Sequence, residues 1–129
     1  LNKYLWFIDI LSFNQRGVSI TGLTYQNQQF GPTIIDQKYK EISLLDDKYT
    51  RNDYEEETGT KTYITSNKNY DLSNLKNSEI DIINTIIKIL KDKNVTDISN
   101  MSHKEEGWKK TKRFENISFE YAMNLNIIK

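Results

Sequence analysis

The sequence predicts an α+β protein, predominantly helical, built as a compact bundle of about five or six helices with a small β-hairpin or short antiparallel sheet. Two observations carry the helices. Apolar residues recur at Leu1, Tyr4, Leu5, Ile8 and Leu11, and again at Ile80, Ile83, Ile86, Ile87 and Leu90, the spacing of one helix face. A third observation carries the sheet. Tyr49 to Glu55 and Lys61 to Ser66 are rich in Thr and Tyr and flank Glu56-Glu57-Thr58-Gly59, which reads as two strands and their turn. No repeat or low-complexity linker divides the 129 residues, so one domain over 1–129 is the expectation. The chain begins at Leu1 without a Met, which leaves room for it to be part of a longer one.

In chain order, Trp6, Phe7 and Ile10 widen the first stripe until most of the circumference is apolar. A helix from Leu1 to Phe13 should therefore be buried on more than one side and close near Arg16-Gly17, where glycine takes the left-handed conformation. Asp9 is expected to face a polar gap beside Asn2 and Arg16; the alternative is a buried carboxylate awaiting a partner. Val18 to Phe30 reads as extended chain with a turn at Thr21-Gly22. Proline is tolerated in a first helical turn, and Ile34, Ile35, Tyr39, Ile42 and Leu45 then predict a helix from Pro32 to Leu45.

Within Leu72 to Lys93 the long helix is capped by Asn77 or Ser78, with Glu79 and Asp81 near its positive end and Lys88, Lys91 and Lys93 near its negative end. Thr96 should cap a short helix through Met101. Ser102 with Glu105 has the pattern of a capping box, placing His103 in the first turn of a further helix and Trp108 about one and a half turns on. Gly107 inside a helix costs about 1 kcal/mol against alanine, so a bend or a close approach is expected there. Ser118 should cap a last helix carrying Phe119, Ala122 and Met123.

Composition excludes several kinds of chemistry. With no cysteine there is neither a disulfide nor a thiolate metal site, which fits a reducing cytoplasm. The 18 basic and 18 acidic residues cancel, so no whole-molecule field draws the chain to nucleic acid or membrane. No apolar run is long enough to span a bilayer. A nucleophile needs a neighbouring base, and His103 is the only imidazole. Ser102 does not qualify as its partner, because adjacent side chains on a helix diverge. One histidine with scattered carboxylates gives no closed metal-ligand set, and no Gly-rich phosphate loop is present. The reading is a non-enzyme without cofactor or metal. The order of a helix from Ser78 to Asp92, a turn and a helix from Thr96 to Met101, followed by a basic stretch from Lys104 to Arg113, keeps open a helix-turn-helix-like DNA-binding regulator.

Lys3-x-Leu5-x-Phe7, Ile20-Thr21-Gly22-x-x-Tyr25, Phe30-Gly31-Pro32, Ser78-Glu79-Ile80, Ser102-His103-x-Glu105-x-x-Trp108 and Ile117-Ser118 occur in this order over nearly the whole chain. The series resembles the successive motifs of the Panacea, or SocA-like, antitoxin family. The resemblance implies a mostly helical domain with a small β-element that neutralises a co-encoded toxin by binding it. Members are described as pairing with many unrelated toxins, including translation-blocking relatives of small alarmone synthetases, and one as an adaptor delivering its toxin to a protease. The long polar stretch from Asp46 to Asn69 and the start directly at the first helix depart from the better-known pattern.

The motif residues Gly31, Pro32, Ser102, His103, Glu105 and Trp108 are expected to be mainly structural. Contacts with a cognate toxin are then expected from residue types favoured at interfaces, with Tyr25, Phe30, Tyr49, Arg51, Tyr54, Tyr63 and Tyr70 as candidates. Asp53, Glu55, Glu56 and Glu57 crowd the hairpin tip, either as a solvated end protected from edge aggregation or as an acidic patch that enters a basic cleft on the toxin.

Overall fold

A computed structural model of the chain describes residues 1–35 and 72–129, together with the backbone of two strands at 49–56 and 59–66. Two compact units result, one formed by Leu1–Ile35 with Leu75–Lys129 and the other by Asp36–Asn74. Among the described residues there are four α-helices, one 3-10 helix and two two-stranded antiparallel sheets. The α+β class holds, while the expected five or six helices are not reached among these residues.

Helix α1 (Asn2–Arg16) is the axis of the first unit. Its seven consecutive residues Trp6 to Ser12 are buried, so it is enclosed on all sides at mid-length, as its broad apolar stripe demands. Gly17, at φ 75°, ends it by donating to the Phe13 carbonyl at 2.9 Å. The chain then turns through Gly22, also at positive φ, into strand β1 (Tyr25–Gln28), which pairs antiparallel with β2 (Gly31–Ile34).

The helix expected from Pro32 is therefore overturned at its start: Pro32 to Ile34 are strand, and the rest of that expectation, from residue 36 onward, lies outside the described residues. The physical reason is the turn before it. Gly31 at φ 122° folds the chain back after Gln29-Phe30, so pairing with β1 decides the conformation over local spacing. Proline fits an edge strand only where its nitrogen faces away from the neighbour. That is its position here, on the same edge as the Ile34 N–H, which donates to Asn2 Oδ1 at 2.9 Å instead of to a strand. The opposite edge of β1 takes the C-terminal segment: Phe114 N–H donates to Asn27 O at 2.7 Å, Asn27 N–H to Glu115 O at 2.9 Å and Ile117 N–H to Tyr25 O at 2.8 Å.

Strands β3 (Tyr49–Glu56) and β4 (Gly59–Ser66) form the hairpin of the second unit, with Tyr49 opposite Ser66 and Glu56 opposite Gly59. Glu56 and Gly59 thus belong to the ladder and not to the connection. Residues 57 and 58 lie outside the described residues.

Helix α2 (Asn77–Leu90) buries Ile82, Ile86 and Leu90 and packs on α1. Its buried stripe is rotated from the expected one, leaving Ile87 exposed. Lys76 is the cap residue, one before Asn77, and its N–H donates to Glu79 Oε1 at 2.9 Å. Helix α3 (Val95–His103) is capped by Asn94, not Thr96, through Oδ1 accepting the Asp97 N–H at 2.8 Å. A single-turn helix α4 (Glu106–Lys109) follows, and a 3-10 helix (Phe119–Met123) starts where Ser118 Oγ accepts the Glu120 N–H.

The Ser102–Glu105 capping box is not formed. Ser102 and His103 close α3 and Glu105 precedes α4. Both Ser102 and Glu105 are buried: the Ser102 hydroxyl bonds back to Ser99 O within α3, and the Glu105 carboxylate is taken by the Asn126 and Ile127 N–H groups.

Candidate functional site

The residues of the motif series converge where α3 meets the β1–β2 turn. Ser99 Oγ donates to the Phe30 carbonyl at 2.7 Å, fixing that turn on the helix. One turn later, Ser102 Oγ donates to Ser99 O at 2.7 Å. A Cβ on Gly31 would lie 2.5 Å from that Ser102 oxygen, so only glycine lets strand and helix approach this closely. Beside them His103 stacks on Trp108, ring centroids 4.0 Å apart. Trp108 Nε1 donates to Gln28 O at 3.0 Å, and Asn27 Nδ2 donates to the Trp108 and Thr111 carbonyls.

His103 Nε2 is buried with no hydrogen-bond partner. Burial, reinforced by the nearby Lys3 ammonium, holds the imidazole below its ordinary pKa against an opposing hydrogen bond to the Gln29 backbone. Burial also lowers the pKa of Lys3. Among the described residues no group of three or more His, Asp or Glu side chains could hold a metal ion, and no helix is long and apolar enough to cross a membrane.

Two buried carboxylates tie loops to this frame. Asp9 does not face a polar gap. It is fully buried and accepts from Ile20 N–H at 2.9 Å, Thr21 N–H at 3.0 Å, the Thr21 hydroxyl and Tyr25 OH at 2.6 Å. Glu105 accepts from Asn126 N–H through both oxygens and from Ile127 N–H at 2.7 Å. Burial raises its pKa, and those two backbone donors partly oppose the shift. Gly107 is the second close approach, since a Cβ there would stand 2.8 Å from Ile117 Cγ2.

Of the candidates for partner contact, Tyr25 is in the core. It is 1% exposed, and the Asp9 hydrogen bond occupies its hydroxyl, so it presents no surface to a partner. Phe30 is exposed. The side chains of Tyr49, Arg51, Asp53, Tyr54, Glu55, Glu56 and Tyr63, and residues Glu57 and Tyr70, lie outside the described residues. Spacing did not reveal the turn at Lys112–Glu115, which presents Arg113 and Phe114. It carries neither Gly nor Asn, the residues that would announce it. The basic residues from Lys104 to Arg113 do not form one reading helix; they are spread over the end of α3, α4 and this turn.

These features define a small α+β domain whose motif residues are spent on holding its own elements together. A family model described as the antitoxin SocA-like, Panacea domain matches residues 1–109, from α1 to the end of α4. The chain belongs to this Panacea, SocA-like antitoxin family. No curated protein and no solved structure gives a significant match.

Proposed function

We propose that this chain is a non-catalytic antitoxin of the cytoplasm that neutralises a co-encoded toxin by binding it over the active site or substrate entrance. The family match over residues 1–109 carries the reading. It is supported by a structure whose only imidazole is stacked, desolvated and without a hydroxyl donor. A translation-inhibiting toxin related to small alarmone synthetases is the proposed class of target. Delivery of the toxin to a protease shares the same binding step.

The DNA-binding reading is less well supported. Helix α3, in the position of a recognition helix, contains Asp97 and no Lys or Arg to meet phosphates, and the basic residues that follow it are spread over α4 and the next turn instead of lining one helix.

Co-expression with the product of the adjacent reading frame tests the proposal. Growth should be restored, the two proteins should co-purify, and purified antitoxin should inhibit the toxin stoichiometrically without added protease. Growth arrest that persists, with no complex formed, would refute it. Inhibition only in cells, with a shortened toxin half-life, would replace occlusion by protease delivery.

A further inference from the structure

Resting on the antitoxin reading, we propose that the toxin is gripped by one end of the β1–β2 sheet, where Arg113 and Phe114 stand beside Phe30, and that the toxin surface received there is acidic around an apolar recess. The first observation is backbone geometry. Glu115 N–H donates to Lys112 O at 3.0 Å, closing a four-residue turn with Phe114 in its third position at φ 69°. Such a turn calls for Gly or Asn there. Phe114 is the one non-glycine residue with positive φ among the described residues. Its ring gains no burial in return, being 66% exposed. The turn that brings 114–117 onto β1 accounts for the positive φ, but not for an exposed aromatic side chain where glycine would serve better, and strain of this kind gathers where a chain meets its ligands.

The second observation is topology. Strand β1 runs toward Gln28, and the segment from Phe114 to Ile117 pairs with it in the opposite sense. Phe114 therefore emerges at the Gln28 end, the end at which the Gln29-Phe30 turn displays a 63% exposed ring. Trp108, bonded to Gln28 O, is anchored at the same end.

The third is charge. Lys109, Lys112 and Arg113 are exposed here. Lys110 is engaged by Glu106 at 3.3 Å, whereas the Arg113 guanidinium lies over the Phe114 ring, 5.8 Å from its centroid. Aromatic anchors flanked by arginine and lysine are the composition of interface hot spots, and their complement is a carboxylate-rimmed recess. A nucleic acid is the weaker occupant, because Glu106 and Glu115 flank the cations and Glu106 already engages Lys110, which shortens any phosphate track. The turn also lies beyond the residues matched by the family model.

The test uses the product of the adjacent reading frame as probe, titrated calorimetrically with the wild-type chain, Phe114→Gly, Phe114→Ala and the double variant Lys112→Glu/Arg113→Glu. Each variant should weaken binding about tenfold or more. Phe114→Gly should at the same time melt at or above the wild-type temperature, because glycine relieves the strained φ. That combination separates a partner-contacting residue from a merely structural one. Unchanged affinity in all three would overturn the proposal while leaving the antitoxin reading intact. Duplex DNA bound at low salt and released by the double variant would overturn the choice of a protein partner. A wild-type chain that does not bind the probe would remove the antitoxin reading and this surface with it.

Discussion

Gly31→Ala isolates the contact that joins the sheet to α3. Two costs add. Alanine at φ 122° occupies a region that side chains avoid, at about 1–3 kcal/mol. Its Cβ would also stand 2.5 Å from Ser102 Oγ, a buried atom committed to Ser99 O, and overpacking of this kind costs about 1–3 kcal/mol. The sum is about 2–6 kcal/mol, a large part of the stability of a small domain. Lys3 Cε, at 3.1 Å, ends a flexible chain and can give way. The second background makes the reasoning refutable. In a Ser102→Ala chain the hydroxyl is gone and the nearest Ser102 atom is Cβ, at an ordinary 3.5 Å. The steric part should then vanish, and Gly31→Ala should cost only its backbone part. Urea unfolding of the four proteins gives the coupling, expected at about 1–3 kcal/mol. A Gly31→Ala cost below about 0.5 kcal/mol, or one equal in both backgrounds, would show that this approach does not constrain the fold.

Asp9→Asn puts an amide donor among four donors that now meet a carboxylate, so urea unfolding should show a loss of about 2–4 kcal/mol; a loss under about 0.5 kcal/mol would contradict the anchoring role. Glu105→Ala strips the acceptor from the Asn126 and Ile127 N–H groups and should cost about 2–3 kcal/mol. Because burial raises the Glu105 pKa, the native state holds the proton more tightly than the unfolded chain. Stability from this group is greatest in acid and declines as pH rises from the ordinary carboxylate value through the raised one; Glu105→Gln should flatten that decline in pH-dependent unfolding curves. His103 has the opposite sign. Its pKa is lowered by burial, so its contribution is complete above the ordinary histidine value and is lost as pH falls below it. His103→Phe keeps an aromatic stack and should flatten the loss that sets in as pH falls from the ordinary histidine value through the lowered one; an unchanged slope there would argue against the desolvated ring.

What the sequence revealed followed the reach of each interaction. Helix α1 and its Gly17 stop, the long α2 and the Ser118 cap depend on residues within a few positions of one another, and the β3–β4 pairing on two adjacent segments joined by a short turn; all were legible. Helix at Pro32 was inferred from real spacing, but the pairing of Gly31–Ile34 with β1 overrode it. Ser102 and Glu105 have the sequence of a capping box, yet Ser102 bonds back to Ser99 O within its own helix and Glu105 is buried against the backbone at 126–127, a partner that no local pattern can specify. Asp9 is the same case: its donors lie 11 to 16 residues ahead, in a loop whose course spacing does not fix. The motif series was informative because it records these long-range contacts as residue identities. Phe114 left no trace, since its turn uses neither of the residues that signal a positive φ.

The outer side of β2 has a further consequence for recognition. With proline at one position and the Asn2 side chain already taking the next outward amide, that margin offers an approaching extended peptide no free hydrogen to build on. Docking by adding a strand is closed on this flank, and the segment 114–117 closes it on the far flank. If the toxin docks on this sheet as proposed, its selectivity lies in side chains at the tip, where a few residues can be exchanged and the scaffold left as it is.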